Sequence, residues 1–226
     1  CGIVQPLSDT DPRWLGPREL QPITDAHRHC HPIVSMYADW LDHRVHRWDE
    51  LNNWAINGQE AERRCAFASA EGQWGYMALV AEALIENRVV AESSLRQSNG
   101  SSRGRPWTQL RFFEGKENLD VLFYRIDAGR DVEFTLKQYQ PSPKPRKLER
   151  LTELRELFSE SAGACNASFG GLQAPRRGAA VDKEARIATI SLTKIAPSTL
   201  LDELPKVHAG FVRRLRERNW PVPVAD

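Results

Sequence analysis

Apolar residues recur in this chain with two different periods, and the change between them limits the available folds more than any other feature. In the first part they return every three or four positions. Val34, Tyr37, Leu41, Val45 and Trp48 make one such stripe, the spacing of a single helix face. From Trp107 onward they alternate. Val132, Phe134 and Leu136 interleave with Glu133, Thr135 and Lys137, the period of a strand with one apolar and one wet face. Between the two regimes lies Ser98-Asn99-Gly100-Ser101-Ser102-Arg103-Gly104-Arg105-Pro106, whose small and turn-forming residues read as a linker or long loop. Helices followed by antiparallel strands and further helices define an α+β class. The expected organisation is a helical part over 1–97, a linker over 98–106 and a sheet-bearing part over 107–226.

Element by element, residues 2–7 read as a short strand and 8–18 as turn-rich. Helices are predicted over 18–30, stopped by Pro32, and over 33–51, 59–69 and 76–87. Trp107–Phe113, Leu119–Ile126 and Asp131–Tyr139 read as three strands joined by glycine-containing hairpin turns. The middle one is apolar on both faces, as a central strand requires. A helix over 147–159 carries the stripe Leu148, Leu151, Leu154 and Phe158. Residues 160–185 read as irregular, and Arg186–Leu192 as a fourth strand. A final helical region is capped by Ser198 or Thr199, with Pro205 in the first turn of its second part. Leu204, Val207, Phe211 and Leu215 face inward there; Lys206, Arg213 and Arg216 lie on the far side.

The net charge of +1 selects no partner, but its distribution is uneven. Residues 1–97 hold 9 Lys+Arg and 14 Asp+Glu, a net of −5, and the remainder holds 22 and 16, a net of +6. The first lysine is Lys116, and five of the six histidines fall between His27 and His46. No run approaches the roughly 18 apolar residues of a membrane span. The cysteines, Cys1, Cys30, Cys65 and Cys165, are widely spaced, which reads as reduced thiols in a cytoplasmic protein. Cys1 also admits the alternative of a lipidated N-terminus.

Four constellations could carry chemistry. Asp25-Ala26-His27-Arg28-His29-Cys30-His31 is dense in metal-ligating types. In a helix, Asp25/His29 and His27/His31 have the i,i+4 spacing that grips one zinc ion, with Asp25, His27, His29 and His31 as ligands. Without that cluster no cofactor is expected. Asp39, Asp42, His43, His46 and Glu50 lie on the face opposite an apolar stripe, where i,i+4 pairs predict a solvated surface more than an acid–base site. Asp120, Glu133 and Lys137 approximate the acidic and lysine residues of a metal-dependent nuclease, though Glu and Lys stand four apart where two are needed. The same residues fit the wet face of an amphipathic strand. Finally, Arg103, Arg105 and Arg111 flank Trp107, Lys144, Arg146 and Lys147 open a helix, and Arg213 and Arg216 crowd the last one. Arginines suit phosphate backbones, and an aromatic ring can stack on a base.

The opening Cys1-Gly2-Ile3-Val4-Gln5-Pro6-Leu7-Ser8, with Glu19-Leu20-Gln21-Pro22-Ile23-Thr24-Asp25-Ala26 behind it, resembles the first strand and helix of nucleoside 2-deoxyribosyltransferase-like and TIR-like proteins of bacterial defence systems. The resemblance implies a nucleoside-processing enzyme. It covers residues 1–26 only, and Gln5 stands where those proteins have methionine. The acidic strand end and the Asn-x-x-x-x-Glu pattern that carry their chemistry have no counterpart, so no catalytic residue is transferred. The order of elements after residue 107 is similar to modified-DNA recognition domains of Mcr-type restriction systems, in topology alone.

The function expected from these observations is a non-catalytic binding module for nucleic acid or an acidic protein partner, in a defence setting. It would act through Arg103, Arg105, Trp107, Arg111, Lys144, Arg146, Lys147, Arg213 and Arg216. The alternatives are a metal-dependent or nucleoside-processing enzyme, and an interaction or immunity-type protein.

Overall fold

A computed structural model of the 226-residue chain describes residues 4–8, 11–14, 17–114, 121–129, 132–139, 144–165, 184–193 and 195–220. The class is α+β. Six helices accompany a two-stranded and a five-stranded antiparallel sheet among these residues. Chain contacts divide the molecule into two compact units, Cys1–Leu51 and Asn52–Asp226.

In the first unit, β1 (Val4–Ser8) pairs antiparallel with β2 (Asp11–Trp14). Within the stretch read as turn-rich, 8–18, Asp11–Trp14 is therefore a strand. Next come α1 (Pro17–Ala26) and the start of α2 (Pro32–Asn57). Gln21 on α1 donates to Asp42 on α2 at 2.7 Å, and Arg18 pairs with Asp49. Arg28, in the turn between the helices, pairs with Asp25 at 2.8 Å and also with Asp39 and Asp42. Gln21 and then Arg28 hold the Asp42 carboxyl below its ordinary pKa. The polar face of α2 thus docks α1 through its carboxylates, while His43 and His46 stay exposed.

The second unit begins within α2 and contains α3 (Glu60–Ala68), α4 (Ala70–Glu86) and the five-stranded sheet. Ser69 starts α4 by accepting the Gly72 N–H at 3.0 Å, which satisfies a donor that the first turn leaves free. The sheet runs β3 (Arg96–Ser102), β4 (Arg105–Glu114), β5 (Val121–Ala128), β6 (Val132–Tyr139), β7 (Glu184–Ser191), in that order and antiparallel throughout. Between β6 and β7 lies α5 (Lys144–Ala164), and α6 (Pro197–Glu217) follows.

The segment 98–106 is not a linker. Ser98–Ser102 and Arg105–Pro106 are paired strand residues, closed by the two-residue turn Arg103-Gly104. Both turn residues have positive φ, 52° and 74°. This geometry matches the right-handed twist of the flanking strands, which is why two-residue hairpins adopt it. Small polar residues can populate an edge strand as readily as a loop, and composition alone does not separate the two. The chain divides at residue 51, within α2, and not near residue 100. Within the second unit α4 is tied to the sheet: Gln73 of α4 donates to the Pro106 carbonyl at 3.1 Å, and Gln97 of β3 to the Trp74 carbonyl at 3.0 Å.

One face of the sheet is dry. Leu110, Phe112, Leu122, Tyr124, Ile126, Phe134, Leu136 and Ile190 are buried, and α6 lies on this face, its His208 Nδ1 2.8 Å from the Tyr124 hydroxyl. The stripe Leu204, Val207, Phe211 and Leu215 is buried as its spacing requires. Phe211 meets Phe158 of α5 edge-to-face at 5.5 Å. The Tyr76 hydroxyl of α4 donates to the Pro197 carbonyl at 2.7 Å. The final helical region is one continuous helix with Pro205 inside it, not a pair.

Candidate anion-binding site

The other face of the same sheet carries the charged residues of the alternating strands. Cross-strand register brings Trp107 opposite Asp127, Asp127 opposite Glu133, and Gln109 opposite Arg125. A bulge completes the set. Leu136 pairs with Ala188 but Lys137 pairs with Arg186, leaving Ile187 as an extra residue on β7. The extra residue reverses the alternation at that point. Arg186 therefore shares the charged face with Lys137, while Ile187 and Ala188 are both buried.

These residues meet in a network. Asp127 accepts from Arg125 Nε at 2.8 Å and from Lys137 Nζ at 2.9 Å. Glu184 reaches Arg125 at 3.3 Å and Lys137 at 3.7 Å, and Arg186 pairs with Glu133 at 2.9 Å. The Arg125 guanidinium lies 4.5 Å from the centre of the Trp107 ring, a cation–π contact. Gly100, across the strand, makes room for that ring. A Cβ there would fall 2.4 Å from the indole Cζ2. Glu133, Thr135 and Lys137 are not the freely solvated strand face that alternation predicts. Thr135 is fully buried and Lys137 is 7% exposed, because Thr135 donates to the Arg125 carbonyl and the carboxylates hold the cations across the strands. Of the nuclease set, Lys137 is engaged by Asp127 and Glu184 and Glu133 by Arg186, and Asp120 lies outside the described residues.

Above this floor opens a cleft of about 530 Å³, bounded by the β3–β4 turn, a size common for small-ligand sites. Arg103, Arg105, Arg125, Lys137 and Arg186 supply five cations to its lining, and Asp127 and Glu133 two anions. The net is +3, or +2 once Glu184 of the floor network is counted. Arg103 and Arg105 are exposed at the mouth and, among the described residues, have no hydrogen-bond or ion-pair partner.

Of the residues singled out in the sequence, the cleft gathers Arg103, Arg105 and Trp107 from the arginine-rich set, and Glu133 and Lys137 from the nuclease-like set. Arg111 lies on the same strand face, where turning the Gln109 amide over lets its oxygen accept from the Arg111 guanidinium at 3.2 Å. Arg213 and Arg216 sit on α6, the helix that covers the opposite face. Arg213 faces Glu217 at 3.9 Å, and Arg216 too has a partner. The side chains of Lys144, Arg146 and Lys147 lie outside the described set, although their backbone opens α5. Arg125, Asp127 and Arg186 were missed. Their signal was present as charges at every second position of apolar strands, but only the pairing of distant strands converts it into a site.

The Asp25–His31 segment does not form the helical ligand set. Because α1 stops at Ala26, residues 27–30 are a turn. Asp25 is bonded to Arg28, His31 Nδ1 accepts the Ile33 N–H at 3.1 Å, and His27 Nδ1 lies 3.9 Å from the Cys30 sulfur. Among the described residues, no group of three or more His, Cys, Asp or Glu side chains is placed to hold a metal ion. Cys30, Cys65 and Cys165 are free thiols. No described helix is long and apolar enough to cross a membrane.

Comparison with family models, with curated proteins and with solved structures returned no match.

Proposed function

We propose that this chain is a binding module for nucleic acid and that the cleft on the charged sheet face is where it meets its partner. The supporting observation is the pair Arg103 and Arg105, exposed and unpartnered among the described residues at the mouth of a concave site of net positive charge. Guanidinium groups with free donors bind phosphate oxygens in a bidentate fashion. The cations of the floor are already matched by carboxylates, so they shape the site and contribute little attraction. The concavity suits a nucleotide or a single strand better than the convex surface of a duplex.

Fluorescence anisotropy with labelled single-stranded DNA, single-stranded RNA and duplex DNA tests this at 50 and 200 mM salt. The expected result is tighter binding of the single strands, weakening with salt. Arg103→Ala/Arg105→Ala should lose affinity and flatten the salt slope by about one to two. Absence of binding at 50 mM salt overturns the proposal. Salt-dependent binding of an acidic protein through the same two arginines would replace nucleic acid with the other anionic partner.

A further inference from the structure

The β3–β4 turn departs from the residue choice its geometry favours. Its two positions both require positive φ, where Asn-Gly or Asp-Gly is the usual pair. Gly104 satisfies the second without cost, but the first is Arg103, at φ 52°. A long side chain in the left-handed region strains the backbone. Such strain persists where the surroundings, or a function, demand that side chain at that point. Arg103 makes no compensating bond among the described residues, and its side chain lines the cleft mouth beside Arg105.

The distribution of charge within the cleft limits what Arg103 can meet. Asp127 and Glu133 belong to the lining and Glu184 to the network beneath it. A run of phosphates laid along the floor would face three carboxylates. Free cationic donors are confined to the mouth. The arrangement therefore suits one concentrated anionic group at the entrance, with an uncharged moiety inward. A terminal phosphate carries about −1.5 to −2 charge at neutral pH, against −1 for each internal phosphodiester, and so matches the net +2 of the cleft and its floor.

We infer that the cleft is a phosphomonoester site, with Arg103, held in left-handed conformation by the hairpin, as its anchor. This inference rests on the nucleic-acid reading for its ligand class and deepens it: the part of the nucleic acid recognised is a phosphorylated end. A free mononucleotide carries the same chemistry.

The test compares one short single-stranded DNA, labelled at its 3′ end, with a 5′-phosphate or a 5′-hydroxyl, at 50 mM salt. A nucleoside 5′-monophosphate and the corresponding nucleoside serve as competitors. Wild type, Arg103→Asn and Arg88→Asn are measured side by side. Asn relieves the turn while removing the cation, and Arg88 is a second left-handed arginine, at φ 54°, outside the cleft. The phosphorylated strand should bind about tenfold tighter to wild type. Arg103→Asn should lose that preference with its Tm unchanged or raised, and Arg88→Asn should keep it. Equal affinity for the two strands overturns this inference and leaves the nucleic-acid reading standing, as does an Arg103→Asn variant that retains the preference. If neither strand binds but the monophosphate does, dependent on Arg103, the nucleic-acid reading falls and the phosphomonoester site stands. If nothing binds, both fall.

Discussion

The two faces of the five-stranded sheet are built from the same strands by the same alternation, yet their stability rests on different interactions. On the dry face, aromatic and aliphatic side chains of β4, β5 and β6 pack against α6, and the polar exceptions are few. Tyr124 and His208 bond to each other, and the His208 Nε2 is left without a hydrogen-bond partner. On the charged face, Arg125 and Lys137 are nearly as inaccessible as the core residues, at 9% and 7% exposure, but Asp127 and Glu184 bond them both. Burial of apolar area is non-directional and tolerates modest rearrangement. Burial of charge holds only while every partner is present. The first face is therefore suited to carrying the fold, and the second to holding a fixed constellation at a cleft.

The sharpest break in that contrast is Phe211→Ala, which removes a fully buried ring from the dry face. It should cost about 4 kcal/mol, read as a shift of the urea midpoint, while Arg105→Ala at the cleft mouth should shift it by less than about 0.5 kcal/mol. On the charged face, Asp127→Asn strips the carboxylate that bonds both Arg125 and Lys137, and should cost about 3 kcal/mol. Adding Lys137→Met should restore part of that loss, since it removes one of the cations left unmatched. A double variant no more stable than the single one would show that the face is not organised by charge matching.

A smaller effect than the loss of either buried group comes with pH. Burial pushes the His208 pKa down from 6.5 to about 3. The folded state therefore resists a proton that the unfolded chain accepts below about pH 6.5, and stability falls from there until it levels near pH 3. At pH 5 the loss should be about 2 kcal/mol relative to pH 8. His208→Gln should remove that part of the acid dependence, which denaturant titrations at the two pH values will register.

Much of the fold was legible because it depends on local periodicity. The α6 stripe, the apolar centre of β5 and the alternation of β6 are each written within about 15 consecutive residues. Where the reading failed, competing structures share the same composition. Ser98–Ser102 could be loop or edge strand, and β4 decides it by offering a partner. Asp11–Trp14 became a strand in the same way, through β1. The candidate site was half legible. Arg103, Arg105 and Trp107 lie close together in the chain and were found as a group, but Arg213 and Arg216 looked equivalent and project from the helix on the other side of the sheet.

What the amino-acid sequence determined by itself is therefore the class, α+β, the placing of most helices and strands, and an arginine-rich second half. These follow from side-chain periods and from local charge counts. What only the tertiary structure decided is which charges meet. Arg186 joins Lys137 because one extra residue in β7 turns it to that face, and Glu184 joins Arg125 across an intervening strand. Strand pairing over such separations is set by register, and register is a property of the assembled sheet, not of any one segment.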